Sequence, residues 1–222
     1  MRSRGHILGR SFYERPTLEV ARDLLGQRLV RVIEGRRLSG LIVEVEAYIG
    51  EEDRASHASV GRTPRNEAMY GPAGHAYVYL IYGVHHCLNV VTEAEGFPAA
   101  VLIRAIEPTE GIELMRAHRP GHPDDRLTNG PAKLCQALAI DLSLNGADLC
   151  AGEALFIEVA NARRTTPQAI GCPEPPASVR EEGEGVADDL VIATPRIGVR
   201  GDELARTRPW RFYLRGNRYV SQ

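Results

Sequence analysis

Strand-like alternation is the commonest pattern along this chain. Over residues 29–33 and 37–48 apolar side chains recur at every second position, which predicts two strands joined by a turn at Glu34-Gly35. In the second strand Leu41, Val43, Val45 and Ala47 share one face, and Ile42, Glu44, Glu46 and Tyr48 share the other, because successive side chains point to opposite sides. Residues 76–82 and 87–92 predict another pair around a turn near Gly83, and 99–106 predict a strand closed by Pro108. Shorter strands are expected over 154–159, 190–193, 196–199 and 211–214. Helical patterning is rarer. Residues 17–25 predict a short helix with Thr17 as N-cap and Gly26 ending it. Thr109 is expected to cap a helix over 110–118, and Pro131 falls in the first turn of a helix reaching residue 138, where its missing N–H costs little. Residues 50–75 predict a loop with a short helix, and 160–188 a long acidic loop. With no internal repeat and no linker-like stretch, the expectation is one α+β domain over residues 1–222, built on a curved, mainly antiparallel sheet flanked by helices and long loops.

Composition changes this picture little. The chain has 222 residues, 43% apolar and 25% charged, the balance of an ordinary globular domain. No apolar run approaches the roughly 18–20 residues of a membrane span. The basic start, Met1-Arg-Ser-Arg-Gly-His6, lacks an apolar segment after it, so no secretion signal is read and a cytoplasmic location is expected. Cys87, Cys135, Cys150 and Cys172 stand far apart with no C-x-x-C pair, the usage of reduced thiols.

Charge matters more in its distribution than in its sum of −2. Glu174, Glu181, Glu182, Glu184, Asp188 and Asp189 crowd one stretch, whereas Arg196, Arg200, Arg206, Arg208, Arg211, Arg215 and Arg218 crowd the end. An acidic segment thus masks a basic one, and local charge decides phosphate affinity. The arginines fit either a phosphate-binding surface or a solvated basic face.

The candidate chemistry lies between residues 44 and 104. Glu44 and Glu46 are two apart on a strand, about 6.5–7 Å between Cα atoms, a separation at which one carboxylate could activate water and the other protonate a leaving group. A solvated strand face would carry the same spacing. Tyr48 shares their face and His57 follows in the next loop. Alternation sends Tyr77, Tyr79 and Ile81 one way and Val78, Leu80 and Tyr82 the other; a tyrosine at a strand tip can wedge into a duplex, and one facing a pocket can stack on an extruded base. Arg104 is charged among Ala100, Leu102 and Ile106, so it needs a partner; Glu46 is plausible, as a water-holding pair or as a plain salt bridge. Asn129-Gly-Pro-Ala-Lys133 offers backbone N–H groups and a lysine to a phosphate. The phosphate-loop, dinucleotide and H-E-x-x-H signatures are absent, and His85-His86-Cys87 point to alternate faces, so no metal or cofactor is expected.

In combination these residues resemble the alkyladenine (N-methylpurine) type of 3-methyladenine DNA glycosylase. The resemblance covers residues 18–221 and rests on Val20-Ala-Arg-Asp-Leu-Leu-Gly26, Val43-Glu-Val-Glu-Ala-Tyr48, Asp53-Arg-Ala-Ser-His57, Arg62-Thr-Pro-Arg-Asn66 and Tyr77-Val-Tyr-Leu-Ile-Tyr-Gly83. It continues through Leu88-Asn-Val90, Val101-Leu-Ile-Arg-Ala-Ile-Glu-Pro108, Gly130-Pro-Ala-Lys-Leu-Cys-Gln-Ala-Leu138, Arg196-Ile-Gly-Val199 and Pro209-Trp-Arg-Phe-Tyr-Leu-Arg-Gly216. It implies a monomeric, monofunctional glycosylase that flips a damaged purine out of double-stranded DNA and hydrolyses its N-glycosidic bond. The lesion class would be 3-methyladenine, 7-methylguanine, hypoxanthine and ethenoadenine. By resemblance Glu46 is the general base, with Arg104 and the Ile197 carbonyl holding the water. Tyr48 and Tyr79 sandwich the base, His57 and Leu102 complete the pocket, Asn89 crowds the 2-amino group of guanine, and Tyr82 is the wedge. Thr63, Arg65, Lys133 and Gly198 fall at DNA-backbone positions, and Glu44 becomes structural or solvated. His85 and His86 stand where mammalian relatives carry aromatic rings. Two other classes share part of this pattern: a glycosidase of free nucleosides, which needs no wedge, and a damaged-DNA binding module without catalysis.

Overall fold

The computed structural model describes residues 5–160 and 186–221. Most of the expected acidic loop and Cys172 therefore lie outside the described residues. Helices α1 (Arg10–Tyr13) and α2 (Thr17–Leu24) lead into strands β1 (Arg28–Ile33) and β2 (Arg36–Ile49). The turn between them has Glu34 and Gly35 both at positive φ, 50° and 76°, which matches the right-handed twist of a tight hairpin. Two 3₁₀ turns, His57–Val60 and Glu67–Tyr70, precede the hairpin of β3 (Ala76–Ile81) and β4 (His85–Val91). Strand β5 (Ala99–Glu110) is followed by α3 (Ile112–His118), α4 (Pro131–Ala137), β6 (Leu155–Glu158), β7 (Val191–Thr194), α5 (Glu203–Thr207) and β8 (Arg211–Leu214).

The strands make one antiparallel sheet in the order β3-β4-β5-β2-β1-β6. Strand β2 is long enough to use one edge twice: its first half pairs with β1, and Glu44 to Glu46 pair with β8, which also carries β7. An α+β domain is what the alternation predicted. One face of the sheet buries Val45, Ala47, Val78, Leu88, Val90, Val101 and Ile103 against Leu24, Leu134 and Cys135 of the helices. A second, smaller cluster of Ala58, Met69, Tyr70, Tyr77, Val91 and Ala100 forms under the 3₁₀ turns on the opposite side. The candidate site residues Glu46, Tyr48, Tyr79 and Asn89 stand on that second side.

Several local expectations are corrected. Thr17 is the first helical residue after Pro16 and does not cap. The Glu93 carboxylate does so instead, accepting from the Thr17 amide at 3.1 Å and from its hydroxyl. Strand β5 runs past Pro108, which sits beside an irregularity at Ser39/Gly40 where a missing N–H interrupts no regular ladder. Thr109 belongs to that strand, and α3 starts after Gly111, whose φ of 74° favours glycine. Residues 196–199 form no strand; Gly198, at φ 69°, turns the chain there. Tyr82 lies in the β3–β4 turn at φ 53°, outside the strand face assigned to it. Register shifts around Ile42 and Glu44 place Ile42 and Val43 together in the core, against simple alternation. The short helices α1 and α5 carry too little periodic signal to be read in advance.

Candidate active site

Cross-strand register builds the floor of the site. Tyr77 faces Asn89, Asn89 faces Leu102, Leu102 faces Glu46, and Glu46 faces Arg211, so five neighbouring strands present one row of side chains on one face. Tyr79 on β3 and Tyr48 on β2 extend the same face one step beyond the row, opposite Cys87 and Ala100. Above it lies a cavity of about 320 Å³. Its lining includes Glu46, Tyr48, His57, Tyr79, Asn89, Leu102, Arg104 and Ile197, the whole predicted catalytic and pocket set, with Tyr82 and Gly198 at its edge. A volume of this size suits one purine-sized heterocycle, and its walls combine the rings of Tyr48, Tyr77, Tyr79 and His57 with aliphatic side chains and a few polar groups.

Glu46 is fully buried at the cavity floor. Its Oε1 accepts from the Ile197 amide at 2.7 Å and lies 3.1 Å from an Nη of Arg104, while Oε2 accepts from the Tyr48 hydroxyl at 2.9 Å. Both oxygens thus have a fixed orientation. Burial, followed by the Glu46 charge and hydrogen bond, pushes the Tyr48 phenol well above its ordinary range, so it stays a donor. Burial works to lower the Arg104 pKa, but the charges of Glu46 and Glu44 and the hydrogen bond to Glu44 together outweigh it and raise it. Glu44 is also fully buried, which removes the solvated reading and leaves the structural one. It accepts from Arg104 Nε at 2.8 Å, Arg211 Nε at 2.6 Å, and the Ser221 amide and hydroxyl at 2.7 Å each. Burial works to raise the Glu44 pKa, but Arg104, Arg211 and the two Ser221 donors together outweigh it and hold it below 4.5.

The aromatic wall is braced from behind. His57 Nδ1 lies 2.8 Å from the Tyr77 hydroxyl, and the His57 ring meets the Tyr79 ring edge-on at 4.5 Å between centroids. Burial and then the positive charge of Arg65 lower the His57 pKa, favouring neutral imidazole. Asn66, buried, donates to the carbonyls of His57 and Gly61 at 2.8 Å and accepts from the Thr63 amide at 2.7 Å, which folds the loop that delivers His57. Asn89 donates to the Tyr77 carbonyl at 3.0 Å across the β3–β4 pair. Behind Tyr48, the guanidinium of Arg196 lies 4.7 Å from the ring centroid and 5.1 Å from that of Trp210. It pairs bidentately with Asp53 at 2.6 and 2.7 Å, both side chains being fully buried.

The basic C-terminal region therefore divides. Arg196 and Arg211 are buried structural cations of the site, whereas Arg200, Arg206, Arg215 and Arg218 are exposed. The sequence contains the arginines and the carboxylates but not their pairing across 143 and 167 residues, so it does not separate the two groups. Tyr77, Cys87 and Arg200 also line the cavity and were not assigned there.

Of the groups expected to meet DNA backbone, Gly198 lines the cavity. Arg65 is exposed, donates to the Leu80 carbonyl at 3.0 Å, and lies 5.8 Å from the Tyr79 ring centroid. Pro131 lines the cavity, and two residues on Lys133 is held to Asn129 at 2.9 Å. Thr63 is half-buried and Gly198 exposed. Tyr82 projects with 83% of its surface exposed. Beyond the hairpin tip, His85 and His86 line a separate cleft with Val84, Ala132 and Gln136.

Comparison with known proteins gives the family. The model of the methylpurine-DNA glycosylase family matches residues 11–218. A protein of Methanocella arvoryzae named "Putative 3-methyladenine DNA glycosylase" is 48% identical over 217 residues, covering 97% of this chain and 96% of its own. Relatives with the same name from Alkaliphilus oremlandii and Bacillus cereus are 44% and 46% identical, covering 97% and 96% of this chain and 98% and 97% of theirs. No helix among the described residues is long and apolar enough to cross a membrane. With the family model matching nearly end to end, the chain belongs to the methylpurine-DNA glycosylase family, enzymes that hydrolyse N-glycosyl bonds of DNA.

Proposed function

We propose that this enzyme removes an alkylated or deaminated purine from double-stranded DNA by flipping it into the cavity and displacing it with a water activated by Glu46. The observation that carries the reading is Glu46 itself: a fully buried carboxylate whose two oxygens are oriented by Ile197, Arg104 and Tyr48 at the floor of an aromatic cavity. A general base must be held in a fixed orientation beside the proton it takes, and the three donors on Glu46 support that reading.

The flipped base stacks between Tyr48 and Tyr79, with His57 closing the side wall. A cationic methylpurine gains from these faces through cation–π attraction, whereas neutral hypoxanthine relies on shape and leaving-group protonation. Neutral His57 offers a hydrogen bond to the base without adding positive charge against a cationic lesion. Asn89, anchored by its amide nitrogen on Tyr77, crowds the 2-amino group of guanine. Tyr82 fills the gap in the stack, and its exposure suits that task. Arg65, Lys133, Thr63 and Gly198 hold the phosphates beside the extruded nucleotide. Release leaves an abasic site, and a water-based displacement requires no lysine adduct.

The test compares one lesion in two settings. Inosine in a duplex oligonucleotide should lose hypoxanthine, and 7-methylguanine and 3-methyladenine duplexes should lose their bases, while free inosine is left intact. Equal cleavage of the free nucleoside would replace flipping by a nucleosidase reading.

A further inference from the structure

Arg104 has three guanidinium nitrogens, and each has a different partner. Nε donates to Glu44 at 2.8 Å, one Nη faces Glu46 at 3.1 Å, and the other donates to the Ser221 hydroxyl at 3.1 Å. Two contacts leave a guanidinium free to swing about the line joining them; a third, from a separate segment, fixes its plane. Ser221 reaches the site from the far end of the chain, 117 residues after Arg104. Its own amide and hydroxyl both donate to Glu44 at 2.7 Å, and its carbonyl accepts from Arg211 at 3.3 Å. The segment is seated independently of these bonds, by Tyr219 in the core and by Asn217, whose amide donates to Glu107 on β5 at 2.8 Å.

We infer that Ser221, through its hydroxyl, is a positioning residue that sets the plane of Arg104 and so the face Arg104 offers to Glu46 and to the water. Glu44 is the anchor of the arrangement: it takes four donors and touches Arg104 on the side away from the cavity. The hydroxyl contributes more than the backbone, because the Ser221 amide reaches only Glu44 whereas the hydroxyl also accepts from Arg104. This inference rests on the catalytic reading of Glu46 and Arg104 given above. Small displacements of a group that holds a reacting water can cost about 10²-fold in rate, which makes such a support matter.

The experiment uses the full chain with Ser221→Ala and Ser221→Thr. Alanine keeps the amide bond to Glu44 and removes the hydroxyl; threonine restores a hydroxyl. Single-turnover excision from a hypoxanthine duplex is expected to fall about tenfold in Ser221→Ala, affinity for the duplex to stay within about twofold, and Ser221→Thr to recover the rate. A merely structural role would lower the melting temperature and leave that split between rate and affinity unmoved. Nitrogen NMR of the Arg104 side chain supplies a reading that does not depend on catalysis: guanidinium rotation should be hindered in the parent and fast in Ser221→Ala. Unchanged rotation in Ser221→Ala, or excision at the parent rate, overturns the inference. If the parent excises nothing while rotation responds as expected, the positioning stands and the proposed function falls.

Discussion

The hydroxyl of Tyr48 donates to Oε2 of Glu46 at 2.9 Å, although the two residues are only two apart on one strand. One residue is thus both a wall of the cavity and a support of Glu46. Tyr48→Phe separates these roles. The ring and its contact with Arg196 remain, and a hydrogen bond to a charged group, worth about 1.5–3 kcal/mol, is lost. Single-turnover excision should fall about tenfold or more while affinity for lesion DNA stays near that of the parent. Tyr48→Ala should lose both.

The stack behind Tyr48 predicts a second effect. Arg196 meets Asp53 through two parallel hydrogen bonds that a lysine cannot reproduce. Arg196 also precedes Ile197, whose amide holds Glu46. Arg196→Lys should therefore lower both thermal stability and excision rate, measured by calorimetry and by single-turnover kinetics. Retention of both would mean the buried pair supports neither.

Glu44 predicts an acid-side loss of stability. Its folded-state pKa is held below the ordinary 4.5, so it stabilises the fold fully above that value. As pH falls from about 4.5 through the lower folded value, protonation removes the contribution. Glu44→Ala should cost about 3–5 kcal/mol near neutral pH, because it leaves Arg104 and Arg211 buried without their shared carboxylate. Denaturant midpoints of parent and variant at pH 7 and pH 4 measure both effects; the gap between them should narrow at the lower pH.

His57 titrates in the same sense with respect to pH, for the opposite reason of charge. Its folded pKa is lowered below 6.5 by burial and by Arg65, so the unfolded chain binds the proton more readily. Stability is highest above 6.5 and declines as pH drops through that value toward the folded pKa. The imidazole resonances should show a midpoint below 6.5, and His57→Gln should be less sensitive to acidification between pH 7 and 5. A midpoint above 6.5 would contradict the neutral pocket.

Tyr82 makes the contrasting case. With 83% of its surface exposed, Tyr82→Ala should change stability by no more than about 0.5 kcal/mol. A fluorescent base beside the lesion should nevertheless report weaker flipping. Unchanged fluorescence would remove the wedge.

How far these residues could be read from the sequence depends on distance along the chain. Alternation alone put Glu44, Glu46 and Tyr48 on one face of a strand, and the cavity lies on that face. It could not show that Glu44 is buried, since the covering residues Arg211 and Ser221 stand 167 and 177 residues away. The apolar run continues to Tyr82 and so predicts it on a strand face, whereas the turn at Gly83 takes it out of the strand. Arg196 to Val199 carries strand-forming residues, yet the buried Asp53 pair and the turn at Gly198 override that preference.

Activation of water by Glu46 is tested by base release and binding on one substrate. A duplex carrying a single hypoxanthine is incubated with parent enzyme and with Glu46→Gln in excess, and base release and binding are followed together. Release by the parent is expected, with release reduced by at least about 10²-fold in Glu46→Gln and lesion-DNA binding kept by both. Release by Glu46→Gln at the parent rate would contradict it.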